Sequence, residues 1–122
     1  MKKILFLAGI FFIISVPMIA NGGEIVIQYS YDDHPLVASS ANAYQKNGEN
    51  RLIGKAKLRQ AITEGNYVKY FEVEENHYSP DGKVIYTCVS KFKPSGDKIS
   101  ETKLFGNKVY DLFRRWPVSS MR

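Results

Sequence analysis

The sequence predicts a mainly β fold: an antiparallel up-and-down meander of about five strands, curled or partly closed. Three observations carry this expectation. Several segments alternate apolar and polar residues, two hairpin turns are near-copies of each other, and the chain holds eight tyrosines. Tyrosine suits half-buried sheet positions, with the ring inside and the hydroxyl at the water.

The first element is 24–31. Ile25, Ile27, Tyr29 and Tyr31 alternate with Val26, Gln28 and Ser30, which is strand periodicity. Asp32-Asp33-His34-Pro35 stops it. The region 36–45 is rich in small residues (Ala38, Ser39, Ser40, Ala41, Ala43) and reads as a short helix or as a loop. The turn Asn47-Gly48-Glu49-Asn50 follows. Arg51 to Thr63 alternates more cleanly than it forms a helical stripe, and Gly54 weakens a helix interior. It is therefore a strand, 51–63, although Lys55 to Ala61 are mostly good helix formers. Thr63-Glu64-Gly65-Asn66 turns directly into 66–77, which is rich in Tyr, Val and Phe.

Ser79-Pro80-Asp81-Gly82 and Lys93-Pro94-Ser95-Gly96 both place proline second and glycine fourth. Proline pre-sets the backbone of a type I turn, and glycine takes the left-handed conformation that follows. These turns connect 66–77, 83–93 and 98–105 as hairpins. The register they imply sets Tyr70 against Phe92 and Val73 against Val89. In the last segment, Val109, Leu112, Phe113 and Trp116 have helical spacing, so a short terminal helix over 108–116 is expected, stopped by Pro117. A final edge strand is the alternative. In both cases Trp116 folds back on the sheet as a core plug. Val84, Tyr86, Cys88 and Phe92 occupy one side of 83–93 and Ile85, Thr87 and Val89 the other. The second face is therefore expected to be covered, by curling of the sheet or by 36–45 and the terminal helix.

Residues 1–20 read as a cleavable bacterial secretory signal, leaving one small β-rich domain over 21–122. Lys2 and Lys3 precede the apolar run Ile4 to Ile14, and Ser15 and Pro17 break it before Ala20. Cleavage after Ala20 leaves the bulky Met18 at the third position back, whereas cleavage after Gly22 puts Ala20 there; Ala20 is preferred because it follows closely on Pro17. An uncleaved anchor is the alternative, since Ile4 to Ala20 lies at the short limit for spanning about 30 Å of hydrocarbon. Export places the domain in the periplasm or outside, with membrane contact only through the uncleaved signal. A single cysteine, Cys88, allows no internal disulfide there. Without Lys2 and Lys3, fifteen basic side chains face twelve acidic ones, a net charge of +3. That is too mild and too interspersed for a nucleic-acid binder.

Chemistry-bearing residues are few. Asp32-Asp33-His34 offers metal-ligand types, but adjacent carboxylates on an extended chain point apart and a site needs three or four converging ligands. Glu75 and His77 share one strand face, which a solvated strand end next to the Ser79 turn explains. Cys88, with His34 or His77 as base, is a conceivable nucleophile. Its mid-strand setting between Tyr86, Thr87 and Val89 reads instead as a buried structural thiol. With no nucleophile elbow, phosphate cradle or paired-cysteine motif, no catalytic residue, metal or cofactor is assigned. The candidate binding residues are Lys91, Phe92, Lys93, Lys103, Arg114 and Arg115, a basic and aromatic patch suited to an anionic envelope component or an acidic protein.

Cys88 after a strand, the glycine turn Pro94-Ser95-Gly96-Asp97-Lys98 and the tail Trp116-Pro117-Val118-Ser119-Ser120 resemble the surface-adhesin protein E family of small exported bacterial proteins. The likeness covers about a third of the chain. It lacks that family's tryptophan near the start of the domain and its second cysteine near the C-terminus. The resemblance implies a β-rich envelope protein with a binding role and carries over no binding residue. The expected function is a non-enzymatic exported interaction module. A small-ligand carrier with a pocket inside the curled sheet, or an accessory subunit of an envelope assembly, is the alternative.

Overall fold

A computed structural model describes residues 10–18, 23–31, 37–46 and 49–118, with side chains from Glu24 onward. Six consecutive strands form one open antiparallel meander: β2 (Gly23–Tyr31), β3 (Ser40–Lys46), β4 (Asn50–Glu64), β5 (Tyr67–Tyr78), β6 (Val84–Phe92) and β7 (Lys98–Gly106). A further strand, β1 (Ile10–Met18), lies inside the segment read as a leader and pairs its backbone with β2. Strand order follows chain order throughout, and among the described residues no pairing joins β7 back to the first strands.

Alternation decides which side chains enter the core. Ile25, Ile27 and Tyr29 on β2, Ala41 and Ala43 on β3, Phe71 and Val73 on β5 and Phe92 on β6 all point to one face. That inner face is covered by the segment 107–118, which crosses back over the sheet as a strap. Tyr110, Leu112, Phe113 and Trp116 are buried under it, and Trp116 packs against Tyr29 and Phe92 at centroid distances of 5.5 and 5.9 Å. The expected core plug is therefore present. The strap's backbone is bonded at both ends. Trp116 N–H donates to Gly96 O (2.9 Å), Ala38 N–H donates to Pro117 O (3.2 Å), and isolated bridges join Asp97 to Arg115 and Val37 to Val118.

Five expected strands are found within about one residue of their predicted limits. Four expectations need correction. No helix occurs among the described residues, so neither 36–45 nor 108–116 is helical. The small residues of the first region are core side chains: Ala38, just before β3, and Ala41 and Ala43 on β3 belong to the same cluster as Trp116, and packing overrides their helix propensity. At 108–116 the strap spends its backbone bonds on the sheet ends instead of on itself, and Val109, part of the supposed stripe, is exposed. The terminal segment also covers the face of Tyr86, Cys88 and Phe92 and not the second face, where Ile85, Thr87 and Val89 stay half-buried. The sheet is open.

The fourth correction is the register. Phe71 faces Phe92 and Val73 faces Ser90, one residue away from the expected pairs. Beside the turn, Tyr78 faces Val84 as the turn dictates. Between that pair and His77–Tyr86 the extra residue Ile85 bulges out of the ladder and shifts every later pair by one. A one-residue shift exchanges the faces of a strand. Here it turns Tyr86, Cys88, Ser90 and Phe92 towards the face shared by Phe71, Val73, Glu75 and His77.

Candidate functional site

The consequence of that bulge is a buried polar cluster at the β5–β6–β7 end of the inner face. Glu75 is 1 % exposed and His77 and Ser90 are 0 % exposed. A carboxylate so deep must be paired and hydrogen-bonded to be tolerated. Glu75 is. Ser90 Oγ donates to its Oε2 at 2.5 Å, Lys98 Nζ donates to the same oxygen at 3.0 Å, and His77 Nε2 lies 3.0 Å from Oε1. Lys98 also donates to Glu101 Oε1 at 2.8 Å, and the hydroxyl of Tyr86 donates to the other Glu101 oxygen. Lys108 closes the cluster on its outer side, 3.3 Å from Glu101.

Protonation states follow from the donor inventory. The Glu75 carboxylate is an acceptor, so His77 carries its hydrogen on Nε2. Its Nδ1 is buried and has no hydrogen-bond partner among the described residues. Burial pushes the Glu75 carboxyl up, but the bond from His77, the Lys98 charge and the bond from Ser90 outweigh it, and the group titrates below its ordinary range. Glu101 is likewise raised by burial and then brought down to about 2 by Lys98 and Tyr86. Burial and the nearby Glu75 charge push the Cys88 thiol up to about 11. Because the Ser90 hydrogen is committed to Glu75, Cys88 donates towards Ser90 Oγ across 3.7 Å. A protonated, enclosed thiol is a weak nucleophile.

Glu75, Cys88 and Glu101 bring one donor atom each to within 4.8 Å of one another, the spacing of a metal-ligand set. The position between the two carboxylates is held by the Lys98 ammonium, which bonds both. A divalent cation would have to displace it and deprotonate Cys88. The cluster is a charge network in which two lysines pair with two carboxylates.

The sequence-predicted patch does not assemble. Phe92 is buried on the inner face, with the Lys98 ammonium 5.4 Å from its ring centroid. Lys91 lies on the opposite face, 4.8 Å from the Tyr70 ring centroid. Arg114 pairs with Asp111 at 3.4 Å, and Arg115 pairs with Asp97 while donating to Ser95 O at 3.0 Å. Lys93 and Lys103 are exposed and make no ion pair among the described residues. Asp32, Asp33 and His34 lie outside the described residues. The buried pairing of Glu75 with His77, read from sequence as a solvated strand end, is corrected to a core feature. A signal for it exists: 71, 73, 75 and 77 share parity, so the apolar face of Phe71 and Val73 continues into Glu75 and His77.

β1 and β7 are the two edge strands of the sheet, each paired on one side among the described residues. Ile99, Leu104 and Phe105 are large apolar side chains left exposed, the last two at 59 % and 58 %. Among the described residues no strand pairs with the outer edge of β7. No protein-family model, characterised protein or solved structure matches the chain.

Proposed function

We propose that the chain is a non-enzymatic interaction module of the bacterial envelope, exported through its leader, which takes an extended segment of a partner protein along the outer edge of β7. One observation carries this reading. The inner face is filled by the chain's own strap, while β7 leaves Ile99, Leu104 and Phe105 exposed beside an edge that no described strand pairs with. Strand addition draws affinity from such backbone bonds and specificity from alternate side chains. Unpaired Lys93 and Lys103 beside that edge favour a partner segment mixing apolar and acidic residues. The role implied by the likeness around Cys88 and Trp116-Pro117 points the same way.

The carrier reading needs a sheet that curls to enclose a cavity, and Trp116, Phe113 and Phe92 occupy the side where it would form. An accessory subunit would use the same edge, differing only in being unstable until that edge is paired. The test is a photo-crosslinking residue at position 104 or, as a control, at position 72 on the opposite side of β5, in the tagged full-length gene expressed in its native envelope. The expected result is one predominant crosslinked protein from position 104 and none from 72, with an intact mass lacking residues 1–20 or 1–22. Equal labelling from both positions, or an uncleaved chain soluble in the cytoplasm, overturns the proposal.

A further inference from the structure

The outer face of the sheet carries a second, separate feature. The register places Ser40 beside Lys57 beside Glu74, and Asn42 beside Lys55 beside Asn76, in two rows running across β3, β4 and β5. Neighbouring strands lie about 4.8 Å apart and successive same-face residues about 6.8 Å apart, so the six side chains form a compact polar grid. They line a groove of about 790 Å³ with the Tyr78 ring among its walls. That size falls within the roughly 300–1,000 Å³ range of small-ligand sites.

An outer sheet face is ordinarily polar because water solvates it. Lys55 and Lys57 make no ion pair among the described residues, although Glu74 stands next to Lys57 in the ladder. Asn76 accepts a hydrogen bond from Thr87 through Oδ1 at 2.7 Å, which fixes its amide and leaves Nδ2 to donate into the groove. Asn42 offers a second amide one strand away on the far side of Lys55. The groove thus presents two ammonium groups, two amides, two serine hydroxyls and one carboxylate, beside an apolar part made by Val37, Ala41, Ala56, Leu58 and the Tyr78 ring, on which the faces of sugar rings can pack.

We propose that this groove binds a linear polysaccharide bearing carboxylates, a polyuronate, lying across the three strands. Side-chain amides and a carboxylate are matched to the neighbouring hydroxyls of a sugar ring, which both donate and accept. Lys55 and Lys57 supply the complement to uronate carboxylates. An apolar ligand would leave these donors unpaired, at a cost for each one. The site is distinct from β7 and stands or falls independently of the strand-addition reading.

The experiment is calorimetric titration of the full chain with an oligogalacturonate, a neutral malto-oligosaccharide of equal length, and poly-glutamate. Binding of the uronate at least about tenfold tighter than the neutral sugar is expected, as charge-assisted hydrogen bonds dictate. The double variant Lys55→Gln/Lys57→Gln weakens it at least about tenfold, and Asn76→Leu weakens it less, by about fivefold. Lys91→Gln, on the same outer face beyond the groove, leaves it unchanged. Amide chemical-shift changes on uronate addition should centre on β3 to β5 and provide a second readout should a variant fold poorly. No uronate binding by the intact chain, binding indifferent to Lys55 and Lys57, or poly-glutamate binding as tightly as the uronate, overturns the proposal.

Discussion

The two proline–glycine turns share a sequence pattern, a hydrogen-bond scheme and a backbone conformation, and they do different work. In each, the glycine N–H donates to the carbonyl three residues back (Gly82 to Ser79, Gly96 to Lys93), and the first residue donates to the fifth (Ser79 to Lys83, Lys93 to Asp97). The glycines have φ of 90° and 98°. Yet a Cβ on Gly82 would meet nothing within 4 Å, whereas one on Gly96 would lie 2.9 Å from the Trp116 carbonyl oxygen. The Gly96 turn is where the strap is fastened, through Trp116 N–H to Gly96 O and Arg115 to Asp97. Local sequence dictates the shape of a turn. What the turn holds depends on residues twenty positions away.

The largest test of that contrast is Trp116→Ala. Removing a fully enclosed indole that donates to Ala38 O at 2.8 Å should cost about 3–5 kcal/mol in chemical denaturation. It should also release the strap, so that alanine at position 82 or 96 then destabilises equally, to within about 0.5 kcal/mol. If Gly96→Ala still costs more in the Trp116→Ala background, the strap is held by its backbone bonds and not by its aromatic anchor.

The next effect comes from acid. The Gly96 turn leads into Lys98 and Glu101, members of the buried network, while the Gly82 turn carries exposed hydrogen bonds of Ser79, Asp81 and Lys83 among themselves. Glu75 and Glu101 both titrate below their ordinary value of 4.5 when folded, Glu101 at about 2. As pH falls, the unfolded chain therefore takes up protons first. Stability fully present above about pH 4.5 is lost progressively towards about pH 2. Thermal midpoints across that window should fall steeply for the unmodified protein and less steeply for Glu101→Gln, with Asp81→Asn changing the slope least. A slope indifferent to Glu101→Gln would place the acid sensitivity outside the network.

The same contrast explains what was legible beforehand. β2, β4, β5, β6 and β7 were readable because each combines alternation with turn residues next to it in sequence. β3 was not, because its alanines are selected for the little room left in the core that Trp116 fills, and small residues carry no period of their own. The strap was misread because Val109, Leu112, Phe113 and Trp116 fit a helical stripe by spacing, and only the acceptors at Gly96 and Ala38 show that it is extended. The buried network depended on one bulged residue, Ile85, and nothing in Val84-Ile85-Tyr86 announces a bulge. The parity of Glu75 and His77 with Val73 was visible, but a charged pair at a strand end is more often solvated.

Gly82→Ala and Gly96→Ala sharpen the comparison directly. Both impose a side chain on a positive φ, a strain of about 1–2 kcal/mol. Gly96→Ala adds an overlap with the Trp116 main chain, and crowding of this kind costs a further 1–3 kcal/mol or so. The measured difference between the two variants is the share of Gly96 that belongs to the strap. Equal losses would reduce the second turn to a copy of the first.

Arg115→Ala should have the smallest effect. The guanidinium bonds Asp97 and Ser95 O, but it and Asp97 are 64 % and 51 % exposed. Pairs so open to solvent contribute about 0.2–1 kcal/mol. At 1 M salt the Debye length shrinks to about 3 Å and most of that contribution should vanish, whereas the Gly96→Ala loss, which is steric, should persist. Denaturant melts of both variants at low and high salt therefore separate two ways of fastening one segment. If Arg115→Ala proved as costly as Gly96→Ala and equally indifferent to salt, its bond to the Ser95 carbonyl would be the true clasp. Packing between Gly96 and Trp116 would then be its consequence.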